Sequence, residues 1–184
     1  MNFQEQKKKQ LNKKDKSNIG EWDEKIKELC DKINKNKKYY TTSSCSGRVV
    51  LLKGSLNKEK NKFLYRNHDK LNFKDFKKDL INIDYNGLIE FKQSSCILHI
   101  ACKDLKSAMD LVDKAKLSGW KHSGIISIKK RIIIELHSTE TLGFPIMKNK
   151  KILIEDDFLK ILIHQVNLRF DKIWDKIRKL KERV

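Results

Sequence analysis

The sequence predicts an α+β fold, a single domain in which helices flank a mixed or antiparallel sheet. Three observations lead to this fold class. The chain has 184 residues, which is enough for one hydrophobic core and short of two full domains. Predicted strands come in pairs between helices rather than alternating one by one with them, which argues against a doubly wound parallel sheet. No Gly/Ser-rich or Pro-rich linker interrupts residues 16–184, so they are predicted to form one domain after a basic, mobile N-terminus at residues 1–15.

Four helices are predicted from apolar residues repeating at helical spacing. They correspond to "GEWDEKIKELCDKINKNKK", "NFKDFKKDLIN", "KDLKSAMDLVDKAKLSG" and "DDFLKILIHQVNLRFDKIWDKIRKLKERV". The apolar face predicted for the first comprises Trp22, Ile26, Leu29, Cys30 and Ile33. The face predicted for the third comprises Leu105, Ala108, Met109, Val112 and Ala115. The last helix is long and ends in cations, which suits the helix dipole.

The strands are predicted from short runs of β-branched and aromatic residues. They correspond to "RVVLL", "KFLYR", "GLIEF", "CILHIAC", "GIISIKK", "RIIIELHS" and two short strands in "GFPIMKNKKILIE". A polar hairpin loop is predicted between the first two. Residues 41–46, "TTSSCS", lie between the first helix and the first strand, so they are predicted to be a connection.

This hydroxyl-rich run, followed by Gly47 and Arg48, is the first candidate site. Hydroxyls and backbone N–H groups near a glycine can form a concave nest for an anion or carboxylate. The planar guanidinium of Arg48 adds a two-pronged donor for a phosphate or carboxylate. The alternative is that serine and threonine simply serve a turn and that Gly47 allows a tight bend.

Similar residues recur at other strand ends. Ser123, Gly124, Ser138 and Thr139 are expected to line one polar pocket with the hydroxyl-rich run, at one edge of the sheet.

The five histidines divide by position. His68 and His122 lie at the ends of elements, where general acid or base chemistry is most accessible. His99 and His137 lie within or at the end of strands and are predicted to be packed and hydrogen-bonded, and His164 to be structural or exposed.

The formal net charge of +18 predicts an attraction to nucleic-acid phosphates. However, only six of the 42 basic residues are arginine, which also fits a general drift toward lysine. No apolar run approaches the roughly 20 residues that a membrane span needs, so no membrane partner is expected. The basic N-terminus is not followed by an apolar segment, so a cytoplasmic protein is predicted.

Several kinds of site lack their usual motif. The four cysteines contain no C-x-x-C pair and the histidines no H-E-x-x-H, so no metal site is predicted. No G-x-G-x-x-G or P-loop appears, which argues against a Rossmann-type cofactor site. Cys30 and Cys96 are predicted to pack in the core. Cys45 is an alternative nucleophile, with His68 as its nearest candidate base.

Taken together, these motifs resemble the tRNA wybutosine-synthesising protein 3 family. The resemblance rests on "DKSNIGEWDEKIKELCDKINKNKKYYTTSSCSGRVVLL", "NHD", "ILHIACKDLKSAMDLVDKAKLSGWKHSGI" and "ELHSTETLGFPI", and the Ser-Ser-Cys-Ser-Gly-Arg block is its most specific part. One departure is that "FLYRNHD" lacks the tryptophan and glycine expected before the histidine. The resemblance covers nearly the whole chain and implies a fold other than the Rossmann methyltransferase fold.

The resemblance further implies an S-adenosylmethionine-dependent methyltransferase that acts on tRNA-Phe. Its substrate atom would be N4 of the 7-(3-amino-3-carboxypropyl)-4-demethylwyosine base, 3′ of the anticodon. Catalytic roles are then expected for Ser44, Cys45, Arg48 and His68. Cofactor-binding roles are expected for Ser43, Ser46, Gly47, Ser123, Gly124, Ser138 and Thr139. His68 or Asp69 would assist removal of the N4 proton. The alternatives are a non-catalytic tRNA-binding module, a Cys45-dependent enzyme and a structural basic protein.

Overall fold

The computed structural model describes residues 2–12, 23–54 and 63–184. Its helices are α1 (Phe3–Leu11), α2 (Glu24–Lys35), α3 (Phe73–Ile81), α4 (Leu105–Leu117) and α5 (Asp156–Arg183). Its strands are β1 (Tyr39–Cys45), β2 (Arg48–Lys53), β3 (Phe63–Asn67), β4 (Leu88–Ser94), β5 (Ile97–Cys102), β6 (Gly124–Ser127), β7 (Ile132–His137), β8 (Leu142–Lys148) and β9 (Lys151–Ile152). Trp22 and the predicted hairpin loop at 55–62 lie outside the described residues.

The predicted α+β class is confirmed, with strands that pair antiparallel throughout the described part of the chain. Contacts divide the chain into two compact units. The first unit is Met1–Ser46, Ser95–Thr139 and Ile173–Val184, and the second is Gly47–Ser94 and Glu140–Lys172. That residues 16–184 act as one domain stays a prediction. Among the described helices, none has the length and apolar content that crossing a membrane requires.

The first unit is built on a four-stranded sheet in the order β1-β5-β7-β6. One face of this sheet is apolar and packs in the core with α2 and α4. Its strands contribute alternate residues, as the period of a strand requires. The core includes Ile26, Leu29, Cys30, Leu98, Ile100, Leu111, Trp120, Ile134, Leu136 and Ile173. Burial of Cys30 and Cys96 confirms the packing predicted for both.

The buried face of α4 differs from the predicted one. Leu105 and Met109 are 50% and 55% exposed, whereas Leu111 is fully buried between Ala108 and Ala115. Residues 108, 111, 112 and 115 form a stripe at i, i+3, i+4 and i+7, which overlaps the predicted stripe. The helix carries apolar residues on both stripes, so only packing against the sheet decides which one is buried.

The hydroxyl-rich run forms a strand, so the predicted connection was wrong. Tyr39–Cys45 pairs with β5 as β1, and only Ser46 and Gly47 separate it from β2. Tyrosine and threonine favour strands, and the cross-strand partner satisfies their backbone groups. Gly47 has a φ of 93°, a left-handed conformation that glycine adopts without strain. This close turn therefore ends the strand abruptly.

The second unit contains the five-stranded sheet β3-β2-β4-β8-β9. Phe76 and Leu80 of α3 and Val166 and Phe170 of α5 are buried with its apolar strand residues. Asn167 holds the backbone of Leu71 through two hydrogen bonds of 2.8 and 2.9 Å. The predicted helix at residues 72–82 and the strands "RVVLL", "KFLYR" and "GLIEF" are confirmed.

Helix α1 is an element that the apolar pattern does not indicate, because none of its residues is buried. Its N-terminus is closed by a capping box between Asn2 and Glu5. The ring of Phe3 lies 5.2 Å from that of Tyr40 in β1, centroid to centroid. This ring contact and hydrogen bonds from Gln4 Nε2 to the Lys37 carbonyl (2.9 Å) and from Lys7 Nζ to the Asn36 carbonyl (2.6 Å) attach α1 to the first unit.

Candidate active site

A row of three polar side chains crosses the outer face of the sheet in the first unit. Strand register places Ser43 of β1 opposite His99 of β5, and His99 opposite Glu135 of β7. His99 Nδ1 lies 2.7 Å from Ser43 Oγ, and His99 Nε2 lies 2.8 Å from Glu135 Oε2. The His99 and Glu135 side chains are 29% and 33% exposed, so the row is reachable from solvent.

The arrangement fixes which nitrogen of a neutral imidazole carries the proton. Ionised Glu135 accepts only, so His99 Nε2–H donates to it and Nδ1 is left to accept from the Ser43 hydroxyl. A carboxylate, an imidazole and a hydroxyl in this sequence can move a proton from the hydroxyl to Nδ1 while the carboxylate stabilises the resulting imidazolium. His99 is hydrogen-bonded, as the sequence predicts. Its partial exposure and its position between a hydroxyl and a carboxylate were not predicted.

Hydrogen bonds with α2 and β5 hold the strand bulge beside this row. The pairing of β1 with β5 shifts register between Thr41 and Ser43. Asn34 of α2 accepts from Thr41 N at 2.8 Å and donates to Thr41 Oγ1 at 2.9 Å. The hydroxyl of the bulged Thr42 donates to the carbonyl of His99 at 3.2 Å. These contacts set the register that brings Ser43 to the imidazole.

A second histidine group lies on the same face. His137 follows Glu135 by two residues, and its Nε2 lies 2.8 Å from Ser95 Oγ. The His122 ring stacks on it with a centroid distance of 6.0 Å and an angle of 20°. The backbone N–H of His137 donates to Ser123 Oγ at 3.2 Å. Three of the five histidines therefore lie on or beside one face of this sheet.

The hydroxyl residues of the first unit that the sequence predicts for a polar pocket lie at neighbouring strand ends, at one end of the sheet. The register aligns Cys45 with Ile97 and Ile97 with His137, so the end of β1, the start of β5 and the end of β7 coincide. We call this edge the hydroxyl end. It comprises Ser44, Cys45, Ser46, Ser95, Ser123, Ser138 and Thr139. The catalytic or cofactor-binding roles expected for these residues, Ser95 excepted, remain predictions.

Most of these hydroxyls already have internal partners. Ser123 Oγ donates to the Trp120 carbonyl at 2.6 Å. Ser138 is fully buried and its Oγ accepts from Cys96 N at 3.1 Å. Thr139 Oγ1 accepts from Lys176 Nζ at 3.2 Å. These contacts hold the strand ends together, which is a structural use of the side chains.

Ser46 and Gly124 differ from that group. Ser46 is fully buried, its backbone N–H donates to Asp23 Oδ2 at 2.8 Å, and its Oγ has no hydrogen-bond partner among the described residues. A buried hydroxyl without a partner is costly and suits a polar group supplied by a ligand. A Cβ placed on Gly124 would meet nothing within 4 Å, so space is open there.

The cysteines separate by burial. Burial raises the pKa of the Cys30 thiol to about 12, although a hydrogen bond with the Ser44 side chain acts in the opposite direction. Burial also raises the pKa of Cys102 to about 12. Ser44 therefore faces the core, while Ser43 is exposed on the opposite face of β1. Cys45 is half-buried and free.

The remaining predicted residues, Gly47, Arg48 and His68, belong to the second unit. Arg48 begins β2, and its guanidinium lies 5.5 Å from the centroid of the Phe63 ring. Arg66 approaches the same ring at 4.5 Å. Neither Nε atom has a hydrogen-bond partner in the described part of the chain. His68 follows β3 and is half-buried, next to the exposed Asp69.

His99, Glu135 and Ser95 are the site residues that sequence reasoning missed. Ser95 and His99 are close in the chain, but both are far from Glu135 and from Ser43, and the proximity of these residues depends on which strands are neighbours. The available signal was a polar residue in each of two apolar strands, "CILHIAC" and "RIIIELHS". A histidine and a glutamate inside such strands require partners, because an isolated polar group is unfavourable there.

Comparison with known proteins extends over the whole chain. Residues 4–184 match the family model described as "Methyltransferase TYW3". The chain is 33% identical to a Thermococcus sibiricus protein named "tRNA(Phe) 7-((3-amino-3-carboxypropyl)-4-demethylwyosine(37)-N(4))-methyltransferase", covering 100% of this chain and 94% of that protein. It is 32% identical to the Danio rerio "tRNA wybutosine-synthesizing protein 3 homolog", covering 98% and 73%. The structure of the PH1069 protein from Pyrococcus horikoshii superposes with a TM-score of 0.89 at 31% identity, covering 98% and 93%.

Proposed function

Since the chain belongs to the methyltransferase TYW3 family, we propose that it transfers a methyl group to N4 of 7-(3-amino-3-carboxypropyl)-4-demethylwyosine in tRNA(Phe). The family membership is the one that the Ser-Ser-Cys-Ser-Gly-Arg block and its companion motifs predict. The printed name of the Thermococcus sibiricus relative describes the same reaction. The observation that carries the proposal within this chain is the Ser43–His99–Glu135 row, because methylation of a ring N–H requires a proton acceptor. A non-catalytic tRNA-binding module has no need of this row.

A methyltransferase requires a methyl donor, and S-adenosylmethionine is the donor we propose. When bound, it supplies an electrophilic methyl group. The unpartnered Oγ of buried Ser46 and the open space at Gly124 are compatible with such a polar ligand at the hydroxyl end. Ser123, Ser138 and Thr139 are expected to shape this edge through their backbone, because their hydroxyls have internal partners.

The Ser43–His99–Glu135 row supplies the proton acceptor in this proposal. The N4–H bond breaks, and its electron pair stays on N4 and forms the new bond to carbon; the carbon–sulfur electron pair of the bound donor is left on sulfur, as part of a neutral thioether. The proton passes to Ser43 Oγ as the Ser43 hydroxyl proton passes to His99 Nδ1. Glu135 stabilises the imidazolium through the 2.8 Å hydrogen bond to Nε2. General base catalysis of this kind contributes about 10²–10⁴ in rate.

Mass analysis of nucleosides tests the proposal. The protein is incubated with S-adenosylmethionine and tRNA(Phe) carrying the demethyl base. The tRNA is then digested, and the masses of its nucleosides are measured by mass spectrometry. We expect a gain of one methyl group on that base. Binding of tRNA without any such gain would support the non-catalytic module instead.

A His99→Gln variant tests the proton acceptor. Glutamine can keep hydrogen bonds to its neighbours but cannot take the proton, so single-turnover methylation is expected to slow by about 10²–10⁴. His164→Gln is the matched control because His164 is exposed on α5, and its rate should equal that of the wild type. Equal rates for the two variants would show that His99 is not the proton acceptor. Whether the protein transfers a methyl group at all is decided separately, by the nucleoside assay.

A further inference from the structure

The end of the first unit's sheet opposite the hydroxyl end carries a concentration of positive charge. There β1 begins, β5 ends and β7 begins, with Tyr39, Cys102 and Ile132 in register. The adjoining segments contain six exposed cations, which we call the basic end. They are Lys37, Lys38, Lys103, Lys129, Lys130 and Arg131.

These cations have no ion-pair partner among the described residues, unlike several other lysines of the same unit. Elsewhere in the first unit, Lys114 pairs with Asp110, Lys179 with Asp175 and Lys181 with Glu28. No ion pair within 4 Å involves the basic end among the described residues. Asp104 and Asp110 are nearby acids. A hydrogen bond from the Ser107 backbone is the largest cause that lowers the pKa of Asp104, and the charges of Lys103 and Lys38 lower it further. Asp110 also interacts with Lys38 but is paired with Lys114. Two carboxylates, one of them already paired with Lys114, thus lie near this group of six cations.

A cavity of about 200 Å³ opens at the basic end. Lys103, Lys129, Lys130 and Arg131 line it together with Phe3 and Gln6 of α1. Arg131 is oriented by a 3.4 Å hydrogen bond to the Tyr40 hydroxyl. The cavity is smaller than the roughly 300–1,000 Å³ of typical small-molecule sites, so its cationic rim suits phosphate groups on a larger molecule better than a whole cofactor.

We propose that the basic end is the surface on which the first unit binds the phosphate backbone of tRNA. The identity of this polyanion rests on the proposed function. Adjacent strands lie about 4.8 Å apart, so cations at three neighbouring strand ends span a surface on which successive phosphates can lie. The strands separate this surface from the hydroxyl end by about 20 Å. The basic end therefore positions tRNA at a distance from the reacting base and carries no sequence information itself.

The test compares two triple variants with equal loss of charge. Lys103→Gln/Lys129→Gln/Lys130→Gln alters the basic end, and Lys114→Gln/Lys179→Gln/Lys181→Gln alters ion-paired lysines of the same unit. All six side chains are on the surface, so both proteins are expected to fold, which circular dichroism checks. Binding of a fluorescent tRNA(Phe) transcript is measured by anisotropy over a series of KCl concentrations, without methyl donor.

We expect the basic-end variant to raise the Kd at least about tenfold and to reduce the slope of log Kd against log[KCl] by about two to three. The control should keep a slope close to that of the wild type. Equal changes in both variants, or no change in either, would overturn the proposal. The assay needs neither the modified base nor methyl transfer. Failure of methylation with a selective loss of binding would therefore reject the proposed function and not the basic end.

Discussion

Arg48 is a charged residue whose role depends on what surrounds its guanidinium. The group lies over the Phe63 ring, and its Nε has no hydrogen-bond partner in the described part of the chain. Arginine stacked on an aromatic ring is held in orientation and keeps its outer N–H groups available. The resemblance assigns Arg48 a catalytic role, and this geometry is suited to one.

Replacing Arg48 is expected to affect activity more than tRNA binding. Loss of a donor that stabilises developing charge costs about 10²–10³ in rate, so kcat of Arg48→Ala should fall by about that factor while the Kd for tRNA changes less than about threefold. Arg48→Lys is the comparison that keeps the charge and removes the planar donor. Rates from single turnovers and Kd values from anisotropy distinguish the two effects. If Arg48→Ala loses activity and tRNA affinity to the same extent, Arg48 acts in tRNA binding and not in catalysis.

At the scale of the elements, the contact between α2 and β1 controls where the site residues lie. Asn34 satisfies the backbone N–H and the hydroxyl of Thr41 at the bulge. A bulge leaves one residue outside the regular ladder and redirects the side chains that follow. The position of Ser43 against His99 is therefore a consequence of this local irregularity, which the amino-acid pattern does not reveal.

An Asn34→Ala variant tests this role. It leaves the N–H of buried Thr41 without its acceptor, so the free energy of unfolding is expected to fall by about 1–3 kcal/mol. Methylation should slow as well, because Ser43 loses its fixed position. Lys35→Ala is the control on the same helix, and its exposed site predicts a change within about 0.5 kcal/mol. Denaturant unfolding measures both, and equal stabilities would show that the bulge is held without Asn34.

At the scale of the whole molecule, the surface cations and the buried thiols affect different properties: binding to polyanions and stability. The net charge of +18 is spread over both units, and some of the cations are paired with nearby acids. Binding to a polyanion depends on the unpaired ones. The core, by contrast, contains two thiols that burial keeps protonated, Cys30 and Cys102.

These thiols predict a loss of stability in alkaline solution. Their pKa rises from 9.0 to about 12 on folding, so between these pH values the unfolded chain has released protons that the folded chain keeps. The free energy of unfolding then falls as pH rises, by up to about 1.4 kcal/mol per pH unit for each thiol. Unfolding in urea at several pH values measures this slope.

Burial also raises the pKa of Tyr39 and Tyr65, whose ordinary value is 10.0, so the thiols are tested between pH 9 and 10, where Cys30→Ala should remove about half of their slope. Leu29→Ala is the control, because Leu29 is a neighbouring buried residue without a titratable group. It should lower stability at every pH and leave the slope unchanged. The same slope in Cys30→Ala as in the wild type would contradict the assignment of the alkaline loss to this thiol.

The sequence by itself determined the α+β class, the family and most helices and strands. These follow from local properties: the spacing of apolar residues, β-branched runs such as "RVVLL", and the Ser-Ser-Cys-Ser-Gly-Arg block. It also identified serines that strand register gathers at the hydroxyl end. Only the tertiary structure decided that residues 39–45 form a strand, that α4 buries Leu111 rather than Met109, and that Ser43, His99 and Glu135 meet. Each of these depends on which strands are neighbours and in what register, and that is set by contacts between residues distant in the chain.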